Sequence, residues 1–178
     1  MHRPEVILLA AMSIDGFIAP LHKEHLSSTT WTSQEDHRFF TQKSKAIGTM
    51  IMGSKTFATI GKALTQRRTI VMTSQPERFA DLNDPNLLFT AKNPEEILAS
   101  LNQQGIKQVA LCGGASVYSL FLQKALIDRM FLTIEPFVFG EGIKLFNGFT
   151  GQIQPKFILV SQQKLNSAGT LVLEFQKA

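Results

Sequence analysis

The chain has 178 residues, of which 44% are hydrophobic and 18% charged, and its formal net charge is +4. This length suits one domain with a sizeable core, and the composition is typical of a soluble globular protein. Lysine and arginine residues are scattered, which argues against a nucleic-acid-binding tract and favours a small anionic ligand.

The cysteine count and the length of the apolar segments restrict the class of protein further. The only cysteine, Cys112, excludes an intramolecular disulfide and fits a reducing compartment, and we interpret its thiol as inert packing. No segment approaches the ~20 apolar residues of a membrane span, and the apolar run 6–12 is too short for a signal peptide. We therefore predict one cytoplasmic domain over residues 1–178, with neither a membrane nor a nucleic-acid partner.

The first strand is predicted over Val6–Met12, because a continuous apolar run is typical of a central strand buried on both faces. Asp15-Gly16 is a turn signal, and a brief extended piece follows it at Phe17–Ala19. The pattern thus predicts that the chain leaves the sheet core soon after its first strand.

Residues 20–32 are polar and lack periodicity, which is typical of a long surface loop. His22 and His25 lie in this loop, and we interpret them as solvated side chains rather than metal ligands; no metal site is predicted. Thr32-Ser-Gln-Glu35 resembles a capping box, so a helix is predicted to follow and to end before Gly48.

Strands and helices alternate through the rest of the chain. Further strands are predicted at Thr49–Met52, Thr69–Thr73, Leu87–Phe89, Val109–Cys112, Arg129–Phe139, Phe157–Gln163 and Leu171–Phe175. Helices are predicted to begin at Gly53-Ser54, at Asn93-Pro94 and after Gly113-Gly114. This order indicates a mostly parallel sheet covered by helices, closed by an antiparallel hairpin.

A glycine pair, Gly113-Gly114, separates a buried strand from a helix start. Glycine lets the backbone approach a ligand closely, and a helix N-terminus favours an anion such as a phosphate. The third glycine of the dinucleotide fingerprint is missing, so a tight turn without a ligand fits the same residues. Because ligands of open α/β sheets bind at the carboxyl ends of strands, Ala11, Gly53 and the glycine pair are predicted to line one crevice.

Five short motifs occur in a fixed order and spacing along the chain. They are Ala10-Ala11 with Asp15-x-x-Ile18, Trp31-x-x-x-x-Asp36-x-x-x-Phe40, Ile51-Met52-Gly53-x-x-Thr56-Phe57-x-x-Ile60-Gly61, Arg67-Arg68, and Cys112-Gly113-Gly114-x-x-Val117-Tyr118. Together they resemble the dihydrofolate reductase family. The resemblance implies a three-layer α/β sandwich: a mainly parallel eight-stranded mixed sheet, flanking helices and a C-terminal antiparallel hairpin.

The same resemblance implies reduction of 7,8-dihydrofolate to 5,6,7,8-tetrahydrofolate. Asp36 matches the family's acidic residue, whose burial raises its pKa and suits it to assist protonation of the pterin. From position alone Asp36 is better explained as a helix first-turn acid, and the spacing of Trp31 and Phe40 reverses that preference. Arg67 matches the arginine that binds the carboxylate of the folate tail. The substrate-binding residues implied in this way are Leu9, Ala10, Trp31, Asp36, Phe40, Lys62, Arg67, Cys112 and Thr133.

NADPH is the implied cofactor, and the family glycine pair is expected to be joined by a cis peptide. Lys55 and Thr56 are expected to meet the pyrophosphate at a helix start. The implied cofactor-binding residues are Ala11, Ile18, Gly53, Ser54, Lys55, Thr56, Thr73, Ser74, Lys92, Gly113, Gly114, Ala115, Ser116, Val117 and Tyr118. Ser54 and Ser116 depart from the family, because arginine commonly meets the 2′-phosphate of the cofactor at these positions. His37 departs as well, since an apolar residue is usual there.

Two other functions stay open. The Ser-Ile-Asp-Gly-Phe-Ile stretch, the Trp-x-Ser-x-Glu-Asp segment and the Gly-Glu-Gly before Leu145-Phe146 resemble the riboflavin-synthesis branch of the same superfamily. That branch implies a reductase acting on a ribosylaminopyrimidine phosphate, for which Arg67 would be dispensable. The third possibility is a nucleotide-binding module without catalysis. The partner in each catalytic case is a small molecule, and the protein is expected to be a monomer or a homodimer.

Overall fold

The computed structural model describes residues 3–21, 27–148 and 155–178, so that His22 and His25 lie outside the described residues. The strands are β1 (Glu5–Ser13), β2 (Phe17–Pro20), β3 (Thr49–Gly53), β4 (Arg68–Met72), β5 (Leu87–Thr90), β6 (Gln108–Leu111), β7 (Arg129–Glu135), β8 (Gly142–Lys144), β9 (Phe157–Lys164) and β10 (Leu171–Lys177). The helices are α1 (Gln34–Ile47), α2 (Ser54–Ile60), α3 (Pro94–Gln103) and α4 (Ala115–Gln123), with short 3₁₀ helices at Ser28–Thr30 and Pro76–Phe79. None of the helices in these described ranges is long and apolar enough to cross a membrane.

Eight strands form one sheet in the order β5-β4-β3-β6-β1-β7-β10-β9. The pairs from β5 through β7 are all parallel, whereas β10 runs antiparallel to both β7 and β9. This arrangement confirms the predicted fold, a mainly parallel mixed sheet with a C-terminal antiparallel hairpin. β1 lies at its centre between β6 and β7, which is why its sequence is apolar on both faces.

The alternation of side chains along β1 separates two hydrophobic cores. Val6 and Leu8 pack on one face with residues of α3 and α4. Ile7 and Leu9 pack on the other face, where phenylalanines of α1 and α2 join them. Burying one such aliphatic side chain contributes about 1.5–3 kcal/mol, so the central strand fixes both helical layers against the sheet.

The long strand predicted over Arg129–Phe139 is shorter in the structure, because β7 ends at Glu135. Pro136 follows and has no N–H group to continue the ladder. The Phe137 carbonyl instead accepts a hydrogen bond from the Ile14 N–H at 2.9 Å. Beyond this turn, β8 pairs with β2 in a separate two-stranded antiparallel sheet, which the sequence analysis did not predict.

The N-cap of α1 is Ser33, so the capping box predicted at Thr32 was wrong by one residue. The Ser33 hydroxyl accepts a hydrogen bond from the Asp36 N–H at 3.2 Å. Glu35 forms an ion pair with Arg38 and takes no part in capping. The shift matters because it makes Asp36 the third residue of the helix and a direct partner of the cap.

β9 is the outermost strand of the sheet, next to β10 only. Its residues from Ile158 to Lys164 are exposed, including the apolar run Ile158, Leu159 and Val160. The outer edge of β9 therefore presents both apolar side chains and unpaired backbone groups to solvent.

Candidate active site

The carboxyl ends of β1, β3 and β6 lie side by side, and hydrogen bonds join them. The Gly53 N–H at the end of β3 donates to the Gly113 carbonyl at 2.8 Å. The Tyr118 hydroxyl, on α4, donates to the Leu9 carbonyl of β1 at 2.7 Å. The structure thus brings the predicted crevice residues of three strands together at one edge of the sheet.

The Gly113-Gly114 peptide bond is cis, as the resemblance implied. Gly113 has a φ of +110°, a left-handed backbone conformation that favours glycine. A Cβ atom on Gly114 would lie 3.1 Å from Thr56 Oγ1, and one on Gly53 would lie 3.1 Å from Val117 Cγ2. The absence of these side chains lets α2 and α4 approach each other closely at the crevice.

The helix N-termini differ in how they are capped. α1 and α3 begin with side-chain caps, Ser33 and Asn93, each accepting a hydrogen bond from the first turn. The N-cap residues of α4 and α2 are Gly114 and Gly53, and neither glycine offers a capping side chain. First-turn N–H groups that no side chain caps are available to another acceptor, and the helix dipole favours an anionic one. The nine-residue helix α4, behind the glycine pair, is therefore suited to a phosphate.

Asp36 is only 7% exposed, although it carries a carboxyl group. Its pKa lies above the usual value for aspartic acid, because burial disfavours the charged form more than a hydrogen bond from Thr133 favours it. The carboxylate of Glu135 raises the pKa of Asp36 further. The raised pKa of Asp36 suits it to hold a proton in the cleft and release it to a bound molecule.

Three polar atoms close to Asp36 in the chain are buried without a hydrogen-bond partner: Trp31 Nε1, Thr32 Oγ1 and His37 Nε2. The Thr32 hydroxyl, like that of Thr133, lies near enough to Asp36 to lower its pKa. A buried polar group without a partner costs about 1–3 kcal/mol, so such groups are concentrated where a ligand completes them. The segment around Asp36 therefore has hydrogen-bonding capacity that the protein alone does not use.

Arg67 is 7% exposed and bonds within the fold. Its Nη1 donates to Ser44 Oγ at 2.9 Å, and its Nε donates to the Thr65 carbonyl at 3.2 Å. In the part of the chain that the structure describes, no carboxylate pairs with this guanidinium, and its burial lowers its pKa. Desolvation likewise raises the pKa of the nearby Cys112 thiol, so this cysteine stays neutral and unreactive.

The other predicted residues lie mainly around the same strand ends. These are Ala10, Ala11 and Ile18 on β1 and β2, Phe40 on α1, Ser54, Lys55 and Thr56 at the start of α2, Thr73 and Ser74 after β4, Ala115, Ser116 and Val117 on α4, and Thr133 on β7. Lys62 and Lys92 are exposed on loops after α2 and β5, and no hydrogen bond or ion pair joins either side chain to another described residue. Across the described ranges, no three His, Cys, Asp or Glu side chains are grouped to hold a metal ion.

The sequence analysis did not identify Glu135, which lies at the end of β7 and is 3% exposed. Its carboxylate accepts hydrogen bonds from the Ser33 N–H at 2.7 Å and from the Thr170 hydroxyl at 2.8 Å. A charged residue directly after the strand segment Met130–Ile134, which is apolar except for Thr133, was the available signal, because buried acids are rare unless they have partners.

Fold and site together define a protein of the dihydrofolate reductase-like class, with a glycine-paired helix start beside a buried acid. A comparison with protein families makes the assignment specific, because the model of the RibD C-terminal domain matches residues 4–170. The chain therefore belongs to the RibD C-terminal domain family.

Individual proteins are similar to this chain in sequence or fold. The uncharacterised protein YwjB of Bacillus subtilis is 27% identical over 157 residues, which cover 83% of this chain and 86% of YwjB. Two solved structures share the fold. One is a Thermotoga maritima diaminohydroxyphosphoribosylaminopyrimidine deaminase/5-amino-6-(5-phosphoribosylamino)uracil reductase, with TM-score 0.73, 21% identity, and coverage of 99% of this chain and 57% of that one. The other is the Enterococcus faecalis dihydrofolate reductase complexed with NADP(H), with TM-score 0.72, 23% identity, and coverage of 97% and 96%.

Proposed function

We propose that this protein is an NADPH-dependent reductase of an aminopyrimidine that carries a sugar phosphate, the reaction of the riboflavin-synthesis branch. The proposal rests on Asp36, a buried acid in a segment that also holds three buried polar atoms without a partner, in a chain of the RibD C-terminal domain family. The sequence resemblance alone put dihydrofolate first. We reverse that order because the family model favours the riboflavin branch.

The residues present fit the dinucleotide. NADPH would be held by the backbone at Gly53, Gly113 and Gly114 and by the uncapped N-terminus of α4, which suits its pyrophosphate. When bound, the nicotinamide supplies a hydride. The Enterococcus faecalis dihydrofolate reductase complexed with NADP(H) shares this fold, which supports the choice of cofactor.

We assign Asp36 the role of proton donor in this reaction. Reduction of a C=N bond adds a hydride to carbon and requires a proton at nitrogen, and the glycosylamine substrate presents such a bond in its ring-opened form. Because burial raises the pKa of Asp36, its carboxyl group holds a proton nearer neutral pH than an exposed aspartic acid does. Thr133 bonds and orients this carboxyl group, and a positioned acid of this kind contributes about 10²–10⁴-fold to the rate.

Two features favour a sugar phosphate over a folate tail. Arg67, which the folate reading assigns to a glutamate carboxylate, already donates to Ser44 and Thr65 within the fold. His37, which replaces a usually apolar residue beside Asp36, buries an unpartnered ring nitrogen. A hydroxyl-rich substrate would satisfy such a nitrogen, whereas the aromatic ring of folate would leave it unpaired.

Dihydrofolate remains the second candidate, because Trp31, Asp36 and Thr133 form the constellation that the folate reading requires. Turnover decides between the two candidates. Purified protein with NADPH is offered 5-amino-6-(5-phosphoribosylamino)uracil or dihydrofolate, and oxidation of the cofactor is followed by absorbance. Reduction of the ribosylaminopyrimidine is expected, with a rate about 10²–10⁴-fold lower in Asp36→Asn. Preferential reduction of dihydrofolate, lost in Arg67→Ala, would overturn the proposal in favour of the second candidate.

A further inference from the structure

Glu135 is a second buried carboxylate beside the proposed acid, and both of its oxygens accept hydrogen bonds. Oε1 accepts from the Ser33 N–H, and Oε2 accepts from the Thr170 hydroxyl. The Thr170 oxygen also accepts a hydrogen bond from Asn166 Nδ2 at 2.9 Å, so the hydroxyl proton is directed at Glu135. Two donors on two oxygens are the pattern of an ionised carboxylate, which is an acceptor only.

The same bonds join Glu135 to Asp36 through one residue. Ser33 donates its N–H to Glu135 and receives the Asp36 N–H on its hydroxyl oxygen. Glu135 therefore fixes the first turn of α1 against β7, and with it the backbone that carries Asp36. The Thr170 contact also joins this turn to the loop between β9 and β10, so three segments meet at one carboxylate.

We propose that Glu135 is a positioning residue that keeps Asp36 in its proton-bearing form, so that the site operates as a pair of buried carboxylates of unequal role. Glu135 carries the negative charge and two structural hydrogen bonds, and Asp36 carries the transferable proton. Two like charges in a shielded site cannot both be present without cost, so the ionised Glu135 disfavours ionisation of Asp36. The inference rests on the proposed role of Asp36 as the acid.

Few other charges act on Asp36 in the described part of the chain. His37 on α1 acts in the opposite direction to Glu135, and Thr32 and Thr133 contribute hydroxyl groups only. β1 presents neutral residues at this point, among them Leu9 and Ala10. Glu35, on the same helix turn, is joined to Asn166 and Arg38. Burial is the main cause of the raised pKa of Asp36, and Glu135 is the negative side chain that adds to it.

The substitution Glu135→Gln tests the proposal, because it keeps the shape of the side chain and removes its charge. We expect the falling limb of the kcat/KM profile against pH to move to lower pH, with a loss of about tenfold at alkaline pH for each unit by which the pKa of Asp36 falls. Activity at acidic pH is expected to stay near that of the unsubstituted protein. The matched control is Thr170→Val, which removes one hydrogen bond to Glu135 and leaves its charge, so the limb is expected to stay in place.

A second measurement is independent of turnover. ¹³C NMR titration of the Asp36 carboxyl carbon in the protein without substrate, assigned with Asp36→Asn, reports the pKa of Asp36 directly. A lower midpoint in Glu135→Gln and an unchanged midpoint in Thr170→Val support the proposal, whether or not any substrate is reduced. An unchanged midpoint in Glu135→Gln, or an equal shift in both variants, would overturn the proposal. Glu135 would then act only through its hydrogen bonds and not through its charge. Absence of turnover on every substrate would instead contradict the proposed function.

Discussion

The cleft has a glycine half, at Gly53, Gly113 and Gly114, and an acidic half, at Asp36. The two halves differ in how many of their hydrogen bonds are already formed. In the glycine half, the Gly53 N–H and the Tyr118 hydroxyl are already bonded to backbone carbonyls, and Gly114 leaves almost no room beside Thr56. In the acidic half, three polar atoms of residues 31–37 are buried without partners. The glycine half is already fixed in position, and only the uncapped first-turn N–H groups of its helices await a ligand. In the acidic half, side-chain atoms themselves lack partners. We therefore expect the glycine half to hold the cofactor in a fixed position and the acidic half to select the substrate.

The largest effect is expected for Asp36→Asn, which removes the transferable proton from the acidic half. Turnover of the ribosylaminopyrimidine should fall by about 10²–10⁴-fold, because an amide cannot act as the acid. The glycine half is untouched, so NADPH affinity measured by calorimetry should change little. A variant that retained full turnover would show that Asp36 is not the acid.

Gly114→Ala tests the completeness of the glycine half. The added Cβ would lie 3.1 Å from Thr56 Oγ1, and overpacking of this kind costs about 1–3 kcal/mol of unfolding free energy. Chemical denaturation measures the loss. The double variant Gly114→Ala/Thr56→Ala removes the opposing hydroxyl and should recover part of the stability beyond additivity. Purely additive losses would mean that this contact is not what limits the site.

Arg67→Met separates the two candidate substrates. For the ribosylaminopyrimidine, kcat/KM should change by less than about threefold, since Arg67 is assigned no part in binding it. Loss of the bonds to Ser44 and Thr65 should lower the unfolding free energy by about 1–2 kcal/mol. Ser44→Ala is the control, because it removes one of these bonds and leaves the guanidinium. A fall of about 30-fold or more would be expected if the guanidinium bound a substrate carboxylate instead.

The smallest effect concerns stability against pH. The pKa of Asp36 is raised in the folded state, so its contribution is fully present below the ordinary value of 3.8 and is lost as pH rises through the folded-state pKa. Asp36→Asn removes this loss. The difference in Tm between the variant and the parent protein should therefore grow in favour of the variant from acidic to neutral pH. A constant difference would show that burial does not disfavour the ionised carboxyl group.

The sequence predicted the parts of the fold that local patterns specify. The apolar runs of β1, β3 and β6 and the glycine pair located the crevice, because continuous burial and backbone freedom both leave a mark in residue type. Ser33 and Thr32 are both residue types that cap helices well, and the tertiary hydrogen bond from the Ser33 N–H to Glu135 accompanies the choice of Ser33. The three-residue strand β8 forms by pairing with β2, which is far away in sequence, so its own residues do not predict it.

Which polar atoms lack partners was also beyond the reach of the sequence. Trp31, Thr32 and His37 are ordinary residues of a helix entry, and only their packing shows that their polar atoms are cut off from solvent. Glu135 left one signal, an acid directly after a largely apolar strand, but its burial and its partner Thr170 depend on the hairpin that brings them together.

The outer strand β9 has a practical consequence. Its exposed Ile158, Leu159 and Val160 lie on the edge strand of the sheet, where charge does little to prevent association between molecules. The nearest lysines along the chain, Lys156 and Lys164, are at the two ends of the strand. The tendency of the protein to associate at high concentration is therefore expected to depend on this edge strand more than on the overall basic character of the chain. A lysine introduced at Leu159 is the simplest way to keep concentrated samples dispersed.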